Sequence, residues 1–240
     1  MIRFAAAFVA VAAYAQTGTA PKFEVATVKP ASEDEIKAGI SGCKTGHGRE
    51  VCTYVTLKRC IVGSFHIGPG QVVGGPGWID SEPFHIEAKA AEPVEDAPLD
   101  AMMQALLQER FHLAFHREDR NLQALVLEVA KNGPKLEKAP GGEAVTDGSH
   151  GSMILKNTTM DGLAERLARV SDLPVVNRTG IDGVFNMKLA WTPEGENPKG
   201  PGSPPSLFTA IQEQLGLRLQ AQKAPVSVLV VDHAEKPGEN

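Results

Sequence analysis

The stretch SLFTAIQEQLGLRLQAQKAPVSVLVVD, residues 206–232, decides how this chain folds. Residues 206–215 read as a short helix, and Gly216 stands at its C-terminal cap, where a left-handed backbone is wanted. Residues 217–222 and 226–232 alternate or run apolar, the pattern of two strands. Helices this short cannot carry the chain repeatedly between long parallel strands. The pattern therefore predicts an α+β fold, with mostly antiparallel sheets and helices packed on one face.

The same order occurs upstream. Residues 99–110 form a helix with Met102, Met103, Leu106 and Leu107 on its apolar face, followed by a strand at 111–115, a charged hairpin turn at 116–120 and an apolar strand at 122–130. Ala105 and Ala210 hold similar helix positions, and Lys131 and Lys236 similar strand ends, each pair 105 residues apart. Working outward, residues 23–28 read as a strand, 31–53 as a polar insertion, 56–65 as a helix capped by Thr56, and 71–73 and 84–90 as strands. In the later segment, residues 152–156, 174–176 and 184–191 read as strands. Between them lies a helix at 160–170, capped by Thr159, with Leu163, Leu167 and Val170 as its stripe. Each half, 22–138 and 150–240, thus reads strand–helix–strand–strand–helix–strand–strand, which predicts an internal duplication. The Gly/Pro-rich break at 133–151 separates them, and the five prolines of 193–205 mark an exposed loop.

With 240 residues, 42% hydrophobic and 22% charged, the chain has the apolar content for a core, which excludes a largely disordered polymer. The net charge is −5 with no basic stripe, so no nucleic-acid partner is expected. Residues 1–15, MIRFAAAFVAVAAYA, read as a signal peptide: Arg3, a ten-residue apolar run, and the small-x-small site Ala13-Tyr14-Ala15, leaving Gln16 as the new N-terminus. Loss of Arg3 would take the charge from −5 to −6. The run is too short to span a bilayer and no later stretch is longer, so a periplasmic or secreted chain without a membrane span is expected.

Export makes a disulfide available to the three cysteines. Cys43 and Cys52 flank a polar segment able to turn, so a Cys43–Cys52 bridge is a candidate, while Cys60 sits on a helix face as a small hydrophobe. His47 between the first two fits no common zinc spacing. His112 and His116 lie four apart on a strand pattern, about 13 Å at 3.3 Å per residue, too far for one metal. His85 falls on an exposed strand position, and Asp232 and His233 face opposite ways. Ser64, Ser81 and Ser152 lie in no nucleophile motif, and the glycines at 68–77 lack the lysine of a phosphate loop. No metal, cofactor or catalytic set is expected. The turn Gly74-Gly75-Pro76, leading to Trp78, offers backbone beside an aromatic ring and is the candidate ligand- or partner-binding site.

Several ordered segments carry a family resemblance: FEVATVKP (23–30), VVGGPGWIDSEPFHIEAKA (72–90), LLQERFHLAFHRE (106–118), VLEVAKNGPKL (126–136), VVNRTGIDGVFNMKLAW (175–191) and the closing residues 207–237. Together these resemble a soil-associated exported family expanded in Acidobacteria, a domain of unknown function. The resemblance implies export and no established activity. Relatives joined to membrane sensor peptidases imply a binding or sensory role. The cysteine-bearing insertion and Cys60 depart from the family pattern. SLFTAIQEQLGLRLQ is also similar to the short helix-and-strand domain at the N-terminus of secretins and TonB-dependent receptors, which binds envelope proteins.

Two readings follow. The preferred one is a non-catalytic, exported binding or interaction module with an envelope protein or peptide partner, offering sheet edges for a partner strand. The alternative is a hydrolase or metal-dependent enzyme whose fold gathers His85, His116, Glu118 and Asp232.

Overall fold

The computed structural model describes residues 21–32, 34, 41–94, 96–196, 200 and 202–238; the expected signal peptide lies outside the described residues. Among the described residues, three four-stranded sheets form the fold. The first has the order β1-β5-β3-β2, from β1 (Val25–Pro30), β2 (Gly42–Gly46), β3 (Arg49–Thr56) and β5 (Pro83–Lys89), all antiparallel. The third has the order β7-β11-β9-β8, from β7 (Glu137–Lys138), β8 (Val145–Ser149), β9 (Ser152–Thr158) and β11 (Phe185–Ala190), again antiparallel. The α+β class with mainly antiparallel sheets is what the chain adopts.

The middle sheet holds the molecule together. Its order is β10-β6-β12-β4, built on two long antiparallel strands, β6 (Ala114–Val129) and β12 (Leu217–His233). The short strand β4 (Val72–Gly74) lies parallel to β12, and β10 (Val175–Asn177) parallel to β6. Each short strand thus pairs with the long strand of the other half, not its own. The leading ends of β4 and β10 also meet, since a Cβ added at Gly70 would lie 3.3 Å from Pro174 Cδ. Ala124, Val126, Ala224, Val226 and Val228 form a buried cluster on one face of this sheet, with Val73 of β4 and Val176 of β10 packed on it.

Two larger cores flank this ribbon. The first sheet packs with α1 (Leu57–Ser64) and α3 (Asp96–Arg110) around Leu57, Ile61, Leu107 and Phe111, and takes Leu229 and Val231 from β12. The third packs with α4 (Met160–Val170) and α5 (Leu207–Ala210, running into a π-turn at Ile211–Leu215) around Leu163, Leu167 and Met187, and takes Leu125 and Leu127 from β6. Burying each such side chain is worth about 1.5–3 kcal/mol.

The helix starts follow local chemistry. The Thr56 hydroxyl accepts from Arg59 N–H and the Thr159 hydroxyl from Gly162 N–H, as the capping pattern predicts. Gly216 closes the π-turn at φ 64°, and a Cβ there would stand among Gly133 O, Lys135 N and Pro134 Cα, so glycine is required twice over.

Four expectations are corrected. Residues 31–53, read as an insertion, include the β2–β3 hairpin that forms one edge of the first sheet. The break at 133–151 contributes β7 and β8 as edge strands. The charged segment 116–120 is no turn: it runs straight through β6, because β12 supplies ladder partners along its whole length. The separate strands at 217–222 and 226–232 are one strand for the same reason.

Candidate functional site

The Gly74–Trp78 turn is built for packing. Gly74 and Gly75 have φ of 76° and 75°. A Cβ on Gly74 would sit 2.9 Å from Val231 O, and one on Gly75 2.9 Å from Ile79 Cδ1 and Val231 Cγ1, so glycine lets the chain lie against β12. Pro76 is half-buried. Trp78 opens the single-turn helix α2 (Trp78–Ser81). Its ring stacks on Phe111 at 6.3 Å and meets Phe84 edge-on at 6.1 Å, against the first core.

The acids and histidines divide. His116, Glu118 and Asp232 come together where β6 and β12 pair: Asp232 Oδ2 lies 2.9 Å from His116 Nδ1, and Glu118 Oε2 3.7 Å from Nε2. Hydrogen bonding to Asp232 raises the His116 pKa. The two carboxylates approach opposite ring nitrogens on an exposed strand, so nothing converges on one point. His85 lies on β5, in a different sheet, opposite Lys29. His112 precedes β6 at φ 46° and faces Glu235 at 3.5 Å.

Cys43 and Cys52 stand opposite each other across the β2–β3 hairpin, joined by a disulfide. Among the described residues, Cys43, Glu50 and Cys52 are the trio whose ligand atoms approach closely enough for a cation, but both sulfurs are spent on each other and offer no thiolate. Burial pushes the Cys60 thiol up to about 12, with the Glu50 carboxylate adding to the rise, so this cysteine is a packing residue.

The disulfide faces a cavity of about 220 Å³ that the sequence does not announce. Its far wall is a chain of polar contacts joining the halves. His66 follows α1 with φ 53°, a left-handed backbone unusual outside glycine. Its Nε2 lies 2.6 Å from Asp100 Oδ2 on α3, and its Nδ1 3.1 Å from Arg169 Nη2 in the last turn of α4. A guanidinium only donates, so Nδ1 is the acceptor and the ring proton sits on Nε2, directed at Asp100. Arg169 Nε is buried without a hydrogen-bond partner, and burial lowers the Arg169 pKa.

A second and larger hollow, about 620 Å³, opens on the other half. Leu125 of β6 and three further segments line it: the end of α4 through Leu173, residues 191–196 beyond β11, and residues 204–208 entering α5. Trp191 and Leu173 supply apolar floor; Val170 (46% exposed) and Phe208 (49% exposed) present apolar side chains to solvent. Asp172, Glu194 and Glu196 stand around it. Thr192 N–H donates to Pro205 O at 2.8 Å and its hydroxyl to Pro204 O at 2.5 Å, which pins the proline segment beside the wall. The described residues of 193–205 form a largely exposed loop, as expected, whereas Val170, expected on the apolar stripe of its helix, is exposed beside it. The signal was present in the apolar Val170, Leu207 and Phe208, but nothing local shows that they meet.

A family model described as Protein of unknown function (DUF3738) matches residues 58–234. No curated protein matches the chain, and no solved structure does.

Proposed function

The chain belongs to the DUF3738 family, proteins of unknown function, and from that premise we propose that it is an exported, non-catalytic binding module of the bacterial envelope, whose partner is a peptide or protein segment held in the Trp191 hollow. The observation that carries this reading is the hollow itself. At about 620 Å³ it falls within the roughly 300–1,000 Å³ of ligand sites. It combines an apolar wall with three carboxylates, so it suits an apolar side chain carried next to a basic one. The Gly74–Trp78 turn is not part of it. The leader-like residues 1–15 and the likeness to exported soil-associated proteins of Acidobacteria support placing the mature chain in the periplasm or outside the cell.

The mature chain, immobilised and exposed to envelope fractions, is expected to retain a partner that a Phe208→Ser, Val170→Ser variant does not. Trp191 fluorescence should shift on addition of short peptides pairing Leu or Phe with Lys or Arg. Equal retention by the variant, or hydrolysis of a substrate panel without any retained partner, overturns the proposal.

A further inference from the structure

We infer that the Trp191 hollow selects a segment with two basic side chains, one on each side of the apolar residue it seats, and that Asp172 and Glu194 are the residues that read them. The inference rests on the reading of that hollow as a peptide site and adds which peptides it takes.

The charge of the wall is the first argument. Asp172, Glu194 and Glu196 line the hollow, and none of its described lining residues is a lysine, arginine or histidine. Arg169, next in the chain to Val170, is committed elsewhere, its Nη2 donating to His66. Glu196 is answered within the chain, since its Oε1 lies 3.3 Å from His150 Nε2. Asp172 and Glu194 are both exposed, and neither forms an ion pair among the described residues. Two carboxylates therefore stay open to a ligand. A negative rim without a cation in it favours a positively charged partner, in encounter and in register.

Placement is the second. Asp172 belongs to the segment leaving α4 and Glu194 to the segment leaving β11, while the third wall, residues 204–208, carries no charge. Acids on two different walls around one apolar floor call for two cations flanking an apolar group, where a single cation would answer one wall only. In an extended peptide alternate side chains point the same way, so the order basic–x–apolar–x–basic turns all three toward the hollow. The exposed Val170 and Phe208 offer apolar surface along which a lysine or arginine stem lies while its head reaches a carboxylate.

The test is calorimetry of the mature chain with end-blocked Lys-Ser-Phe-Ser-Lys, the two forms with one Lys replaced by Gln, the form with both replaced, and the form with Phe replaced by Ser. Each lysine is expected to tighten binding about threefold, the worth of an exposed ion pair. The doubly basic peptide should thus bind about tenfold better than the neutral one at low salt and lose that advantage in about 1 M NaCl. Asp172→Asn and Glu194→Gln should each cost the doubly basic peptide about threefold and leave the neutral one unchanged; Glu196→Gln should change neither. A neutral peptide binding as tightly as the doubly basic one overturns this inference and leaves the peptide site standing. One lysine giving the full gain, or Glu196→Gln costing as much as Asp172→Asn, overturns the two-cation assignment. The Ser form binding as well as its Phe parent removes the apolar seat and overturns both readings. No binding by any of the five overturns the inference, and partner retention from envelope fractions then judges the peptide site on its own.

Discussion

Arg169 Nη2 donates to His66 Nδ1 across 3.1 Å, tying the last turn of α4 to a residue two positions beyond the end of α1. The chain also approaches α4 closely beside this bond: a Cβ on Gly68 would lie 2.9 Å from Ala168 Cβ. Removing the guanidinium strands a ring nitrogen that has its other side committed to Asp100.

The first prediction follows from that geometry. Arg169→Met keeps the aliphatic stem and deletes the donor, and should cost about 0.5–1.5 kcal/mol, the net worth of one hydrogen bond, at the lower end because His66 is partly exposed. In a double-mutant cycle with His66→Ala, urea unfolding should show a coupling of about 0.5 kcal/mol or more. Strictly additive losses would mean that the contact holds nothing.

Cys60 tests how closed the first core is. With its pKa pushed up to about 12, the thiolate fraction at pH 8 is about one in ten thousand. Iodoacetamide should label Cys60 far more slowly in the native protein than in urea, while Cys43 and Cys52 stay unlabelled without a reductant. Rapid native labelling would show that α1 opens readily.

Removing the disulfide should weaken the hairpin edge. The bridge spans nine positions of sequence, and closing a loop of that length is worth about 2–3 kcal/mol in the chain-entropy account. Cys43→Ala, Cys52→Ala should lower stability by that amount in denaturant titration, without altering the second half's Trp191 environment. An unchanged midpoint would show that the hairpin holds by its ladder alone.

His116 provides the pH dependence. Its pKa is raised, chiefly by the hydrogen bond to Asp232 and further by Glu118. A raised folded-state value means that this contact stabilises fully below the unfolded value of about 6.5 and is lost as pH rises through the folded one. The imidazole should titrate by NMR with a midpoint above 6.5, and Asp232→Asn should lower it. A midpoint unchanged by Asp232→Asn would show that the pair does not persist in solution.

Local signals were legible and long-range pairing was not. Thr159 and the Leu163–Leu167 stripe announce α4, and both leucines are fully buried. Gly216 announces its own left-handed cap. The charged run 116–120 misleads because its residues flank a ribbon that bridges two cores, where side chains on both faces meet water: Arg117, Asp119 and Arg120 are all exposed. Only β12, a hundred residues away, makes that run a strand. The two cavities are illegible for the same reason. His66, Asp100 and Arg169 share no motif and meet only when α1, α3 and α4 pack, and the Trp191 hollow gathers three separated segments.

The crossed pairing of the middle sheet leads to the last prediction. The two outer sheets have matching strand orders, β1-β5-β3-β2 and β7-β11-β9-β8, yet the short strand of each half completes the long strand of the other. Cutting between Asn132 and Gly133 would strip β6 of both neighbours in the first fragment and leave β4 without its partner; in the second, β10 and β12 lose theirs. The first core would also lose Leu229 and Val231, and the second Leu125 and Leu127, about 3–6 kcal/mol on each side. That approaches the 5–15 kcal/mol of a whole domain, before the exposed ladder is counted. Neither fragment, 21–132 or 133–238, should show a cooperative thermal transition alone. Their mixture should recover one, with far-UV dichroism matching the intact chain. A fragment that melts cooperatively by itself would mean that the halves are independent units and that the shared ribbon merely joins them.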